Sequence, residues 1–165
     1  MMSKKKKRIL LNIYFLLTSV AVLLLDQVSK YLISIKVAEG TIMAVIPRFL
    51  YFTNIKNTGA AFGMFQSYTK ILTIVSLVAI FLIIILKVMM NLEFLFYNIS
   101  LGFILGGALG NLVDRYFIGE VTDFISFTFF GPVFNIADSF IVIGFILIII
   151  LILREYLKQG KSKGS

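Results

Sequence analysis

The 165-residue chain contains no cysteine, no histidine and no tryptophan. Without cysteine there are no disulfides, thiol nucleophiles or cysteine-built zinc cages. Without histidine, every histidine-based triad is excluded. Without tryptophan, an interfacial aromatic belt would fall to Tyr31, Tyr51, Tyr68, Tyr97 and Tyr116. Acids are scarce as well. They are Asp26, Glu39, Glu93, Asp114, Glu120, Asp123, Asp138 and Glu155. An enzyme made from this chain must work with carboxylates, amides, hydroxyls, lysine or arginine.

Apolar surface is abundant. Hydrophobic residues make up 59% of the chain, and mean hydropathy is +1.00. A soluble domain this short could not bury that much, so the expectation is a membrane protein. The net charge of +8 does not point to nucleic acid, because the basic residues are mostly terminal. Lys4, Lys5, Lys6, Lys7 and Arg8 precede the first apolar run; Arg154, Lys158, Lys161 and Lys163 follow the last. Such flanks read as cytoplasmic anchors that meet anionic headgroups.

Four apolar stretches, roughly 9–30, 70–90, 94–115 and 132–153, stand out. Each is close to the ~20 residues that cross a bilayer core. Continuous apolar runs of this length imply helices. The basic head, the first run and "SVA" at Ser19, Val20 and Ala21 resemble a signal peptide. More apolar residues follow, so an uncleaved first span is expected. Four spans return the C-terminus to the side of the N-terminus, the cytoplasmic side. The link at Asn91 and Glu93 is then a cytoplasmic turn, and segments 36–69 and 116–131 are outer loops. "TIMAVIPRFLYFTN" in the first outer loop predicts two short strands around its Pro-Arg break. "KQGKSKGS" reads as a frayed tail. No internal repeat is visible, which weakens an inverted-repeat transporter reading.

On this topology the four aspartates share a depth. Asp26 ends the first span, Asp114 ends the third, and Asp138 lies about 9 Å into the fourth, counted from Pro132 at 1.5 Å per residue. Asp123 lies in the outer loop between them. Asn111, Asp114 and Arg115 are placed on one helix face, as are Asn135 and Asp138. Asp26 and Lys30, four apart, stand in the favourable order for a local ion pair. Ionisable residues inside a membrane mark function by default.

Each residue also has a plain reading. Asp26–Lys30 is a structural pair or a headgroup contact. Asp114–Arg115 ends a helix, or Arg115 grips a phosphate. Gly102, Gly106 and Gly110 form a close-packing face, widened by Gly107. Asp123 alone is a solvated loop acid. Asp138 is harder to explain away, because a structural role needs a buried partner. Two converging carboxylates share one proton, so one activates water while the other polarises a carbonyl. A divalent metal between them is the rival chemistry, with few further oxygen ligands in view. Three readings stand on these residues: a peptidase, a proton-coupled carrier, and an assembly protein with snorkelling acids.

"DQVSK" (Asp26 to Lys30), "NTGAAF" (from Asn57), "GGALGNLVDR" (Gly106 to Arg115), "VTDF" (Val121 to Phe124) and "FNIADS" (Phe134 to Ser139) occur in this order. Along nearly its whole length the chain resembles the lipoprotein signal peptidases, or signal peptidase II. The resemblance implies an all-α polytopic membrane protein of one domain, residues 1–165. Its four transmembrane helices would carry a small extracytoplasmic β-cradle after the first helix. It implies a bacterial cell (inner) membrane enzyme with both termini cytoplasmic and the site toward the outer leaflet. The activity implied is an aspartic endopeptidase cutting diacylglyceryl-modified prolipoproteins before the lipid-bearing cysteine. Asp123 and Asp138 would be the catalytic dyad. Asn111, Arg115 and Asn135 would line the site, and Asn57 would lie by the substrate groove. Asp26, Lys30, Gly106, Gly110 and Asp114 would support it. No metal or other cofactor is implied. The partners are the prolipoprotein, membrane lipid and a globomycin-type cyclic peptide inhibitor, bound by a monomer. The short "SFTFFGP" link makes a compact connection between Asp123 and Asp138.

Overall fold

The computed structural model describes residues 3–59, 69–89 and 93–163. The elements are α1 (Lys4–Lys36), β1 (Ile42–Ile46), β2 (Leu50–Asn57), α2 (Thr69–Met89), α3 (Leu95–Phe117), β3 (Val121–Phe127), β4 (Phe130–Phe134) and α4 (Ile136–Lys163). All four helices are long and apolar enough to cross a membrane. Tyr68, Asn91 and residues 60–62 of "NTGAAF" lie outside the described residues.

The apolar runs form helices because lipid offers no partner for a free backbone amide or carbonyl. The third helix is the hub, with α1 and α4 packed closely against it. Glycine makes this approach possible. A Cβ on Gly106 would lie 2.5 Å from the Ser19 carbonyl oxygen of α1, and one on Gly107 would collide with the Ala137 carbonyl of α4. Gly110 sits between both neighbours, facing the Asp26 carboxylate and the Ala137 methyl. Phe15, Ile83, Leu101, Ile104 and Leu105 join α1, α2 and α3 in one apolar cluster. In α2 only Ile83 is buried. Its remaining apolar surface suits a lipid solvent.

The strands form one antiparallel sheet in the order β1-β2-β3-β4. Pro47 and Arg48 make the β1–β2 turn, with Arg48 in the left-handed region at φ 63°. This sheet corrects the all-α expectation. The second outer segment, read as a loop over 116–131, supplies β3 and begins β4, with a turn at Thr128 and Phe129. Besides its hairpin neighbour β4, β3 pairs with β2, with two helices between them in sequence. Such pairing has no local hairpin signal. Pro132, read as the start of the fourth span, lies in β4, and the helix begins at Ile136. An edge strand tolerates proline's missing donor. At the other end, α4 runs on to Lys163 through most of the segment read as a frayed tail.

A second apolar cluster, Ile33, Val37 and Phe124 with Phe52, Ile125 and Ile136, seats the sheet on the end of α1. All four aspartates lie at this end. The opposite end is marked by the Lys7–Glu93 ion pair at 3.3 Å and by Tyr97 lying in electrostatic reach of Glu155. The start of α1, the start of α3 and the end of α4 therefore meet there.

Candidate active site

The start of α4 sets one carboxylate. Asn135 Oδ1 accepts the Asp138 backbone N–H at 2.9 Å. Asp138 Oδ2 in turn accepts the Asn135 backbone N–H at 3.4 Å. This reciprocal arrangement is a capping box, which satisfies two donors that a helix start leaves over. It also holds the Asp138 side chain back against the helix end. The Asn135 Nδ2 group then donates to Asp123 Oδ1 at 2.7 Å and to Asn111 Oδ1 at 3.2 Å. One fully buried side chain thus touches both aspartates.

Strand pairing sets the other. Asp123 lies opposite Ile55 in the β2–β3 ladder. Asn57 is two residues further along β2, so it points to the same face. Its Nδ2 donates to Asp123 Oδ2 at 2.7 Å, while its Oδ1 accepts the Gly59 N–H at 2.8 Å. Asp123 is only 3% exposed, which corrects its reading as a solvated loop acid. Burial pushes its carboxyl up to about 6. The Asn57 hydrogen bond opposes that rise and the neighbouring Asp138 charge adds to it.

The third helix closes the arrangement. Asn111 Nδ2 donates to Asp138 Oδ1 at 2.7 Å, and Asn111 Oδ1 accepts Lys30 Nζ at 3.0 Å. Lys30 therefore fixes which way the Asn111 amide faces. Arg115 lines the same groove, with Asp138, Asp123 and Asp114 in electrostatic reach and Ser76 Oγ 3.4 Å from its Nη1. Asp114 diverges from the face expected to be shared. At ~100° per residue it lies on the opposite side of Asn111 from Arg115, and it turns toward α1.

There it completes a buried ion cluster. Lys30 Nζ is 2.7 Å from Asp26 and 2.9 Å from Asp114. The expected local pair is thus a link between two helices. Asp26 also accepts the Ala137 N–H of α4 at 2.9 Å. Asp114 accepts the Thr122 N–H of β3 at 3.3 Å. Gln27 bridges the pair, donating to Asp114 at 2.9 Å and to the Gly110 carbonyl at 3.2 Å. Gln27, Thr122 and Ser76 escaped the sequence reading. Gln27, a polar amide beside Asp26 inside an apolar span, was detectable. Thr122 acts through its backbone and carries no signal.

The groove holds about 570 Å³ and is lined by Asn57, Asn111, Arg115, Asp123 and Asp138, with Pro132, Val133, Ile141 and Val142 on its apolar side. Asn57, Asn111, Arg115, Asp123, Asn135 and Asp138 thus come together. Asp26, Lys30, Asp114 and Gly110 lie behind them, and Gly106 lies deeper in the α1–α3 contact.

A family model described as signal peptidase (SPase) II matches residues 18–154. Lipoprotein signal peptidases of Staphylococcus aureus strains JH9 and Newman are each 41% identical over 146 residues, covering 85% of this chain and 88% of theirs. A bacterial membrane enzyme solved in meso at 2.3 Å superposes with a TM-score of 0.81 at 37% identity, over 86% of this chain and 88% of that one. A second, solved at 1.9 Å, gives 0.77 at 38% identity, over 84% and 92%. Four membrane-capable helices, aspartates gathered at one end, and relatives matched over most of their length agree: the chain belongs to the signal peptidase II family of aspartic membrane peptidases.

Proposed function

We propose that Asp123 and Asp138 are the catalytic dyad of this lipoprotein signal peptidase. The observation that carries the reading is the buried Asn135 amide, which bonds to both residues at the floor of the groove. Two carboxylates so placed hold one proton between them. The rise of the Asp123 carboxyl to about 6 makes it easier to protonate than an ordinary carboxyl and supports Asp123 as the member that carries the proton in the reactive form. The ionised Asp138 takes a proton from water as the water oxygen attacks the scissile carbonyl carbon. Asp123 gives its proton to the carbonyl oxygen. As the tetrahedral diol collapses, one of its hydroxyl protons returns to Asp123, the C–N bond breaks, and the proton on Asp138 passes to the leaving amine. Asn57 and Asn111 hold the two carboxylates in register throughout.

The substrate is a diacylglyceryl-modified prolipoprotein, cut before the lipid-bearing cysteine. The apolar groove wall of Val133, Ile141 and Val142 supports this, because it continues from the carboxylates onto the lipid-facing side of α4. Arg115 offers a fixed positive charge beside the reacting atoms. The enzyme works as a monomer with the lysine-rich end cytoplasmic, the groove at the outer leaflet and the sheet on the membrane surface. A globomycin-type cyclic peptide would occupy the groove and compete with substrate. Purified Asp123→Asn and Asp138→Asn proteins, assayed on a lipidated prolipoprotein peptide, are expected to lose about 100-fold or more in turnover while keeping their melting transition. Wild-type turnover in either one would remove that residue from the dyad.

A further inference from the structure

A cavity larger than the groove lies away from the carboxylates. It holds about 720 Å³ and lies at the lysine-rich end, between α1, α2 and the start of α3. On α1 its lining follows one helix face. Lys4, Arg8, Leu11 and Phe15 recur at spacings of three and four, so cations at the mouth give way to apolar side chains further in. From Arg8 to Phe15 the axial distance is about 10 Å at 1.5 Å per residue. The facing wall, from α2, has Ile84 and Lys87. Lys87 is half-buried and turns toward α1 and α3. Its ammonium lies 5.5 Å over the Phe15 ring and donates to the fully buried Asn98. Five cationic side chains line the cavity against one carboxylate, Glu93, and that carboxylate pairs with Lys7 at 3.3 Å.

We infer that this cavity binds one anionic glycerophospholipid of the leaflet opposite the catalytic groove, its phosphodiester held by Lys4, Arg8 and Lys87 and an acyl chain lying along Leu11, Phe15 and Ile84. The polar-to-apolar order along α1 matches the order of phosphate and chain in such a lipid. A basic helix end alone would attract the whole anionic surface diffusely. A concave site with a cation turned inward over an aromatic ring selects a single molecule.

The test is native mass spectrometry of the full-length protein in neutral detergent, titrated with phosphatidylglycerol or phosphatidylcholine of matched chains. One phosphatidylglycerol is expected to bind the wild-type protein about tenfold or more tightly than phosphatidylcholine, since several basic side chains add to anionic lipid binding. Lys4→Gln combined with Arg8→Gln is expected to erase that preference. Arg154→Gln combined with Lys158→Gln removes equal charge from the end of α4, outside the cavity, and is expected to leave the preference intact. Glycerol 3-phosphate is expected not to compete. Three results would overturn the inference: equal binding of the two lipids by wild-type protein, equal losses in the two double variants, or displacement by glycerol 3-phosphate. The first needs no variant, so a poorly folded mutant does not block the test.

Discussion

At Asn135 a single carboxamide caps α4 through its oxygen and reaches Asp123 through its nitrogen. The two functions separate by mutation. Asn135→Ala removes both, and is expected to cost about 1 kcal/mol of stability and at least about tenfold in turnover. Asn135→Ser keeps a capping oxygen but loses the reach to Asp123, so stability should recover and turnover should not. Equal turnover in the serine variant and the wild type would show that the amide nitrogen is idle. Among the described residues, Lys30 is the cation in contact with both Asp26 and Asp114, and all three are buried. Lys30→Met should destabilise by about 3–5 kcal/mol, because it leaves two carboxylates buried without their counter-charge. Denaturant unfolding in detergent measures this. Asp123 carries a pH signature. Its folded pKa of about 6 exceeds the ordinary 3.8. Between those values the folded protein holds a proton that the unfolded chain has lost. Its contribution to stability is therefore full at the acid end and declines as pH rises from about 4 to about 6. Melting temperatures across that range should show the fall, and Asp123→Asn should flatten it.

Among the elements, α3 depends most on residues that have no side chain. Gly106→Leu would force a side chain against the Ser19 backbone, which cannot withdraw like a flexible side-chain end. A loss of about 1–3 kcal/mol or more is expected, with turnover falling through misfolding. Gly131→Ala in β4 meets open space and should stay within about half a kcal/mol of wild type. Melting curves of the two variants make the comparison, and a normal Gly106→Leu would contradict the packing seen here. The glycine repeat was legible in the sequence because it follows the helix period. β3 was not. Val121 to Phe127 is a short mixed segment, and the strand that sets Asp123, β2, precedes it by two helices. Chain-local reading therefore left Asp123 in a loop, whereas the ladder buries it and places Asn57 beside it.

For the molecule as a whole, the proposed orientation puts Ser3 and the "SFTFFGP" turn on opposite sides of the membrane. The native chain has no cysteine, so single introduced thiols report cleanly. Phe129→Cys should react with an impermeant maleimide in intact cells, and Ser3→Cys only after permeabilisation. The reverse pattern would invert the topology. The amino-acid sequence by itself determined the four membrane-capable helices and the available chemistry, because span length, apolar content and the absence of histidine and cysteine are properties of composition and local order. It also brought the aspartates to one end, since alternating helix direction follows from the number of spans. Tertiary structure alone decided which groups bond. Asp26 reaches the Ala137 amide 111 residues away, Lys30 joins two helices, and Asn135 reaches Asp123 across a helix start and a strand. Those contacts depend on strand register and on helix rotation about a glycine-lined hub, where a shift of one residue turns a side chain by about 100° on a helix or to the opposite face of a sheet.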